Sequence, residues 1–265
     1  MSCSGPCCCS ASSLQAWAGR PVKGYLARNA AALARAEAAA DAGVIRGVAA
    51  LIDPRAELRW AADGSAHRFV LDGISIDIRI VDEAGKVDLN TGAPELLGSL
   101  FRVLGSGEEA ALAMTAALAA QRSGSPGGQA GGFETTAELL LVPGITPAFF
   151  ERVAPFVTVL THARGVDSGV APRAVLMALA GRDAASADAM LAARTVADGA
   201  PASLPPGDLV TESQHAVYAI NSVAVSGATA GAASYSRLGI VRLTHSADLP
   251  FLVHMWQRVP SRIQN

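Results

Sequence analysis

A chain of 265 residues with 51% hydrophobic content can build one large domain or two modest cores, and it is not the composition of a disordered polypeptide. Its 21 Lys and Arg against 23 Asp and Glu give a formal net charge of -2, without the positive field that holds phosphate backbones or anionic lipid, so nucleic acid is disfavoured as a partner. All 4 cysteines, Cys3, Cys7, Cys8 and Cys9, lie at the very start, so the folded body needs no disulfide.

The first segment, residues 1–24, reads as a disordered or misassigned leader. Its cysteine run has no histidine near it, and adjacent cysteines do not easily ligate one ion together. It also lacks the continuous apolar core of a secretory signal, and no window of 18 apolar residues occurs anywhere in the chain. From about Tyr25 to Ile52 the alanine-rich sequence predicts a long helix. Leu33, Ala36, Ala40, Val44, Gly47 and Leu51 recur at spacings of three and four, a stripe of small residues suited to close approach by a sheet or another helix. The stripe reads as a core face, with partner subunits as the second possibility for Leu33, Ala36, Ala40, Val44 and Leu51. On that second possibility, Val44→Asp is expected to weaken assembly more than it lowers the melting temperature.

After Pro54 the period changes to two. RFVLDG leads into ISIDIRIVDE, where Ile74, Ile76, Ile78 and Ile80 point one way and Ser75, Asp77 and Arg79 the other, with Asp72-Gly73 as a tight hairpin turn. Residues 215–227, 234–245 and 251–259 are also strand-like. Between these ribbons, roughly Gly85 to Pro206, the pattern is helical with no convincing strand, broken by SGSPGGQAGG at 123–132, which reads as a flexible loop. The organisation is a helix-and-sheet unit over 25–84 and 207–265, with a helical unit over 85–206 inserted between its strands. It requires the early and late ribbons to share one sheet.

Within the insertion, VDLNTGAPELLGSLF (87–101) has a weaker copy in VDSGVAPRAVLMALAG (166–181). Pro94 and Pro172 fit the first position of a helix, where the missing N–H is no loss, and Asn90 and Thr91 are placed to satisfy backbone groups at the entry turn. In FETTAELLLVPGITPAFFERVAPFV (133–157), Thr135 and Glu138 spell a capping box, Val142 to Ile145 a turn, and Thr146-Pro147 the next helix start. This is a helix-hairpin-helix pattern, which in nucleic-acid-binding proteins offers backbone N–H groups to phosphate. Against that use, Pro147 removes one such group, and only Arg152 and Arg164 supply positive charge between Phe133 and Arg164. A helix-hairpin-helix nucleic-acid-binding protein is the alternative reading of function.

ARAEAAADAGVIRGVAAL, RIVDEAGKVDLNTGAPELL, ETTAELLLVPGIT, YAINSVA and PFLVHMWQRV together resemble general secretion pathway protein K, the large minor pseudopilin of bacterial type II secretion systems. The resemblance runs from about Ala27 to Val259. It implies an α+β fold, a pilin-like N-terminal helix on an antiparallel sheet with a large helix-hairpin-helix (SAM-like) domain inserted between strands. It also implies a non-enzymatic cap on a periplasmic pseudopilus tip, assembled with minor pseudopilins I and J. A wide domain on a thin stalk clashes inside a filament, which is a steric reason for the tip. Members begin with a basic leader and an apolar membrane anchor, where this sequence has MSCSGPCCCSASSLQAWAGRPVKG, so a misplaced start or altered 5′ end is expected. The second copy, VDSGVAPRAVL, departs from the family's Asn-Thr pair.

No catalytic constellation is spelled out: His67, His162, His215, His245 and His254 are scattered, and neither H-E-x-x-H nor G-x-S-x-G occurs, so no enzyme activity is expected. Asp82, Glu83 and Asp88 supply three hard oxygen donors within seven residues and are candidates to assist calcium, against the commoner reading of solvated turn carboxylates. No cofactor is required by this reading.

Overall fold

The computed structural model describes residues 15–124, 131–196, 209–211, 217–226, 233–244, 246 and 248–260. The cysteine cluster, His215, His245 and most of the Gly/Ser-rich break lie outside the described residues. The first helix, α1 (Gln15–Leu51), starts ten residues before Tyr25, inside the segment read as a leader. Helix growth adds one hydrogen bond per residue once nucleated, so the alanine-rich stretch carries its less helical neighbours with it.

A hairpin follows, β1 (Asp63–Leu71) and β2 (Ile74–Asp82). Its two-residue turn puts Asp72 at φ 50° and Gly73 at φ 77°, the left-handed pair that matches the twist of adjoining strands. Ile74, Ile76, Ile78 and Ile80 are all buried, as their period-two spacing predicts. The insertion comes next: β3 (Val87–Asp88), α2 (Pro94–Val103), α3 (Glu108–Ser123), a 3-10 turn over Thr136–Leu141, α4 (Pro147–Val153), β4 (Val157–Thr158), α5 (Arg173–Leu179) and α6 (Ala184–Val196). The chain then returns as β5 (Val217–Ser226), β6 (Ser234–Leu243) and β7 (Phe251–Arg258).

All five long strands form one antiparallel sheet in the order β1-β2-β5-β6-β7. β2 pairs directly with β5 from Ile74↔Ser226 to Asp82↔Tyr218, so the early isoleucine ribbon and the late ribbons share one framework across the whole insertion. The fold is α+β. Two cores are distinct. One lies between α1 and the sheet: Ala36, Ala40, Val44 and Val48 against Ile76, Ile78, Ile220 and Val241. The other is internal to the insertion and is built on Leu96, Leu97, Leu100, Phe101, Leu139, Phe149 and Leu176.

Where α1 crosses the sheet it carries glycines. A Cβ on Gly43 would stand 2.0 Å from Ser222 Oγ, and one on Gly47 would stand 3.0 Å from Ile220 Cγ2. Ser222 Oγ is fully buried and has no hydrogen-bond partner among the described residues, a consequence of the close helix-to-sheet approach. Removing that hydroxyl relieves an uncompensated burial cost, so Ser222→Ala is expected to leave stability unchanged or raise it by up to about 1 kcal/mol in urea unfolding.

The capping box opens a short helix as expected, of the 3-10 kind. Two local features differ from the sequence reading. Pro172 is the cap residue of α5, one position earlier than expected, while Pro94 does open α2. The insertion also holds a small parallel pairing, Val87↔Val157 and Asp88↔Thr158, from strands too short to show a period.

Candidate functional site

The segment with the strongest sequence signature, Val87 to Thr91, is a structural knot. Asp88 is fully buried. Its Oδ1 accepts from the backbone N–H groups of Asn90 (2.8 Å) and Thr91 (3.0 Å), and its Oδ2 from those of Thr161 (3.1 Å) and His162 (2.9 Å) and from Thr161 Oγ1 (3.2 Å). Asn90 reaches across to Phe133, accepting its N–H at 2.7 Å and donating to its carbonyl at 2.9 Å. Thr91 Oγ1 donates to the Ala163 carbonyl. The entry turn does satisfy backbone groups, but most lie over 40 residues away, a reach that sequence spacing does not encode.

The second copy keeps part of the device. Asp167 Oδ1 accepts from Gly169 N–H at 2.7 Å, while Gly169 and Val170 bring no side-chain polar groups where Asn90 and Thr91 stand. In each copy an arginine at the end of the following helix pair seals the turn: Arg122 donates to the Leu89 and Asp88 carbonyls, and Arg194 to the Ser168 and Ala171 carbonyls. Burial pushes the pKa of both arginines down, opposed by the nearby Asp88 and Asp167 respectively.

In this structure the calcium candidates Asp82, Glu83 and Asp88 each have partners within the protein. Asp88 has its oxygens occupied by donors, Asp82 accepts from Ala84 N–H as a cap, and Glu83 is paired with Lys86. All three are buried, not solvated as turn carboxylates would be. Among the described residues no group of three His, Cys, Asp or Glu side chains converges to hold a metal ion. Seven-residue proximity in the chain did not become proximity of free oxygens.

The helix stripe is corrected as well. Ala36, Ala40 and Val44 are wholly buried on this chain's own sheet and so are not available to a partner, while Leu51 is partly buried against the same core. Leu33, 38% exposed, is the most open of the five. Val44→Asp would therefore place a charge in the core and unfold the helix-and-sheet unit before any effect on assembly could be read. What sequence reasoning missed is the stretch that precedes the sheet: from residue 24 to residue 35 nearly every side chain is exposed, Tyr25 and Leu26 included.

Charge joins the helix to the sheet at one point. Arg237 of β6 is almost fully buried and donates to Asp41 (2.5 Å) and Glu37 (2.9 Å) on α1, with its guanidinium over the rings of Tyr235 and Trp256. Burial works against its charge, yet the Asp41 carboxylate holds its pKa above the ordinary arginine value. The two carboxylates stay half in water, so Arg237→Ala is expected to cost about 1–2 kcal/mol instead of the roughly 3–5 kcal/mol of a fully buried pair, with a change in Trp256 fluorescence. The described histidines do not assemble: His67 stacks on Trp60 at 4.0 Å, His162 gives its backbone N–H to Asp88, and His254 accepts from Arg242.

At the end of the sheet beyond Ala36, α1 and the β1–β2 turn enclose an open groove of about 1130 Å³, lined by Tyr25, Arg28, Ala32 and Arg35 on the helix and by Leu71 and Asp72 on the hairpin. No helix among the described residues is long and apolar enough to cross a membrane.

No protein-family model and no curated protein matches the chain. Among solved structures, a chain of the GspK-GspI-GspJ complex from the type 2 secretion system of enterotoxigenic Escherichia coli superposes with a TM-score of 0.53. It covers 93% of this chain and 100% of that one, at 13% sequence identity. A likeness at that identity is one of fold, and it carries the conclusion that this chain has the α+β fold of that type II secretion component, as its resemblance to general secretion pathway protein K implies.

Proposed function

We propose that the chain is a minor pseudopilin of a type II secretion system, placed at the tip of a periplasmic pseudopilus with pseudopilins I and J as its partners. The superposition over 93% of the chain carries this reading, because it runs through both the sheet framework and the insertion. Two features support it. The helix stands clear of the sheet over residues 24–35 and offers a surface to other pseudopilin helices. The inserted unit adds bulk that a thin filament cannot bury, which favours the end of the assembly.

The role is structural and needs neither catalysis nor a cofactor. Co-expression of the full chain with I and J homologues, followed by affinity and size-exclusion purification, is expected to give a ternary complex. Failure of the chain to travel with either homologue would overturn the reading. A gel-shift series at low and moderate salt separates the nucleic-acid alternative. In that alternative the Val142–Ile145 hairpin would hold phosphate, but Arg152 stacks on the Phe149 ring and Pro147 offers no N–H, so no salt-sensitive shift is expected.

A further inference from the structure

The helix-and-sheet unit and the insertion meet through a narrow seam. Their cores share no residue, and among the described residues no helix of the insertion makes a broad contact with α1 or with the five-stranded sheet. At the junction itself the contacts are between backbones: a Cβ on Gly85 would stand 2.6 Å from the Val170 carbonyl oxygen, and Asp167 donates its N–H to the Ala84 carbonyl at 2.8 Å. Two arginines also reach across. The charge of Arg194 on α6 is favoured by Asp63 at the head of β1, and Arg242 on β6 donates from Nη2 to the Leu160 carbonyl, just past β4, at 3.3 Å. Units joined without a large apolar interface move relative to one another unless something fastens them.

Arg242 is held in an unusual way for a fastening. Arg237 pairs with Glu37 and Asp41 and Arg68 with Asp77, whereas Arg242 has no carboxylate partner among the described residues. Its Nε donates to His254 Nε2 on β7 at 3.1 Å. A guanidinium can only donate, so Nε2 has to be the acceptor and the imidazole has to be neutral. A proton on Nε2 removes that acceptor and sets a second positive charge against the first. The other charged groups of these elements do not compensate it: Arg258 of β7 lies over the Tyr235 ring, Asp248 in the β6–β7 connection forms no ion pair among the described residues, and Arg164 and His162, beside Leu160, are a cation and a second imidazole. Asp88, which accepts from the His162 N–H, already has both oxygens taken up by donors.

We infer that Arg242 and His254 form a pH-sensitive clasp between the sheet and the insertion. With a neutral imidazole, His254 steadies Arg242 on the Leu160 carbonyl and the insertion is fixed; with a charged one, Arg242 is repelled, its bond to Leu160 is lost, and the insertion gains freedom at the junction over residues 83–86. An imidazole changes its charge between roughly pH 8 and pH 5, so the clasp is closed toward neutral pH and opens as acidity rises. His254 is a positioning residue that acts through Arg242, and the inference does not depend on the pseudopilin reading.

The test is a distance measurement by double electron–electron resonance in the full chain, with Cys3, Cys7, Cys8 and Cys9 changed to serine and nitroxide labels on Val70→Cys of β1 and Glu151→Cys of α4, both exposed positions. A narrow distribution is expected at about pH 7.5 and one about twice as wide at about pH 5.5, the two sides of the imidazole range. His254→Gln keeps an acceptor and cannot take a proton, so its distribution should stay narrow at both pH values. His254→Lys carries a fixed charge and should be wide at both; His254 is exposed, so neither variant is expected to disturb folding. A wild-type distribution that does not change with pH, or one that broadens equally in His254→Gln, would overturn the inference. If far-ultraviolet dichroism shows the wild-type chain unfolding in acid, the comparison at neutral pH decides alone, and a narrow His254→Lys distribution there sinks the clasp.

Discussion

Asp88→Ala is expected to lower the stability of the inserted helical unit by about 3–5 kcal/mol, the range for removing one member of a buried charged network. The wild-type carboxylate, itself fully buried, accepts from four backbone N–H groups and one hydroxyl of residues that are half-buried or exposed. Alanine leaves those donors unsatisfied, at about 1–3 kcal/mol for each one that cannot turn to solvent. It also removes the negative charge that offsets the half-buried guanidinium of Arg122. Asp88→Asn should do less harm, since one oxygen can still accept, but its NH₂ then faces donors on one side. Urea unfolding, read with amide exchange at Thr91, Thr161 and His162, checks this. Those three amides should lose protection before the sheet does, and a loss below about 1 kcal/mol would show that the turn is held by something else.

The second large effect is expected from Phe101→Ala, at about 3–5 kcal/mol. Phe101 is the largest of the fully buried side chains of the insertion and meets Phe149 edge to face, with ring centroids 5.8 Å apart and an interplanar angle of 69°. Removing the ring forfeits its transfer free energy and leaves a cavity beside Phe149 in the core of the insertion. Phe101→Leu, which keeps most of the volume, should cost about 1.5 kcal/mol or less. Because the core under α1 shares no residue with this one, Trp256 fluorescence offers a separate reading of the sheet unit. A Phe101→Ala variant that unfolds at the wild-type urea midpoint by far-ultraviolet dichroism would contradict the packing described.

Parts of this architecture were plain in the residues. Ile74, Ile76, Ile78 and Ile80 state their own buried face, Asp72-Gly73 states its own turn, and Thr135 with Glu138 makes the capping box that the structure contains. These features are local: a period, a φ preference or a three-residue reach is complete within one stretch of chain. The stripe of α1 was legible as a face but not as to what covers it. Ala36 and Val44 have the same spacing whether a sheet or a partner helix lies opposite, and only the closure of β2 onto β5 decides for the sheet. The surroundings of the carboxylates at 82, 83 and 88 were hidden in the sequence for a related reason. Their proximity was visible, whereas the donors that occupy them come from residues as remote as Thr161 and His162.

By itself the sequence determined the class of fold, the interruption of one sheet by a helical unit, and the absence of a spelled-out catalytic motif, because periodicity and turn chemistry act over a few residues. Tertiary structure alone decided that α1 spends Ala36 to Leu51 on its own sheet and leaves its earlier turns beside an open groove. That outcome depends on where the sheet ends along the helix, a distance set by strand length and register and not written at any one position.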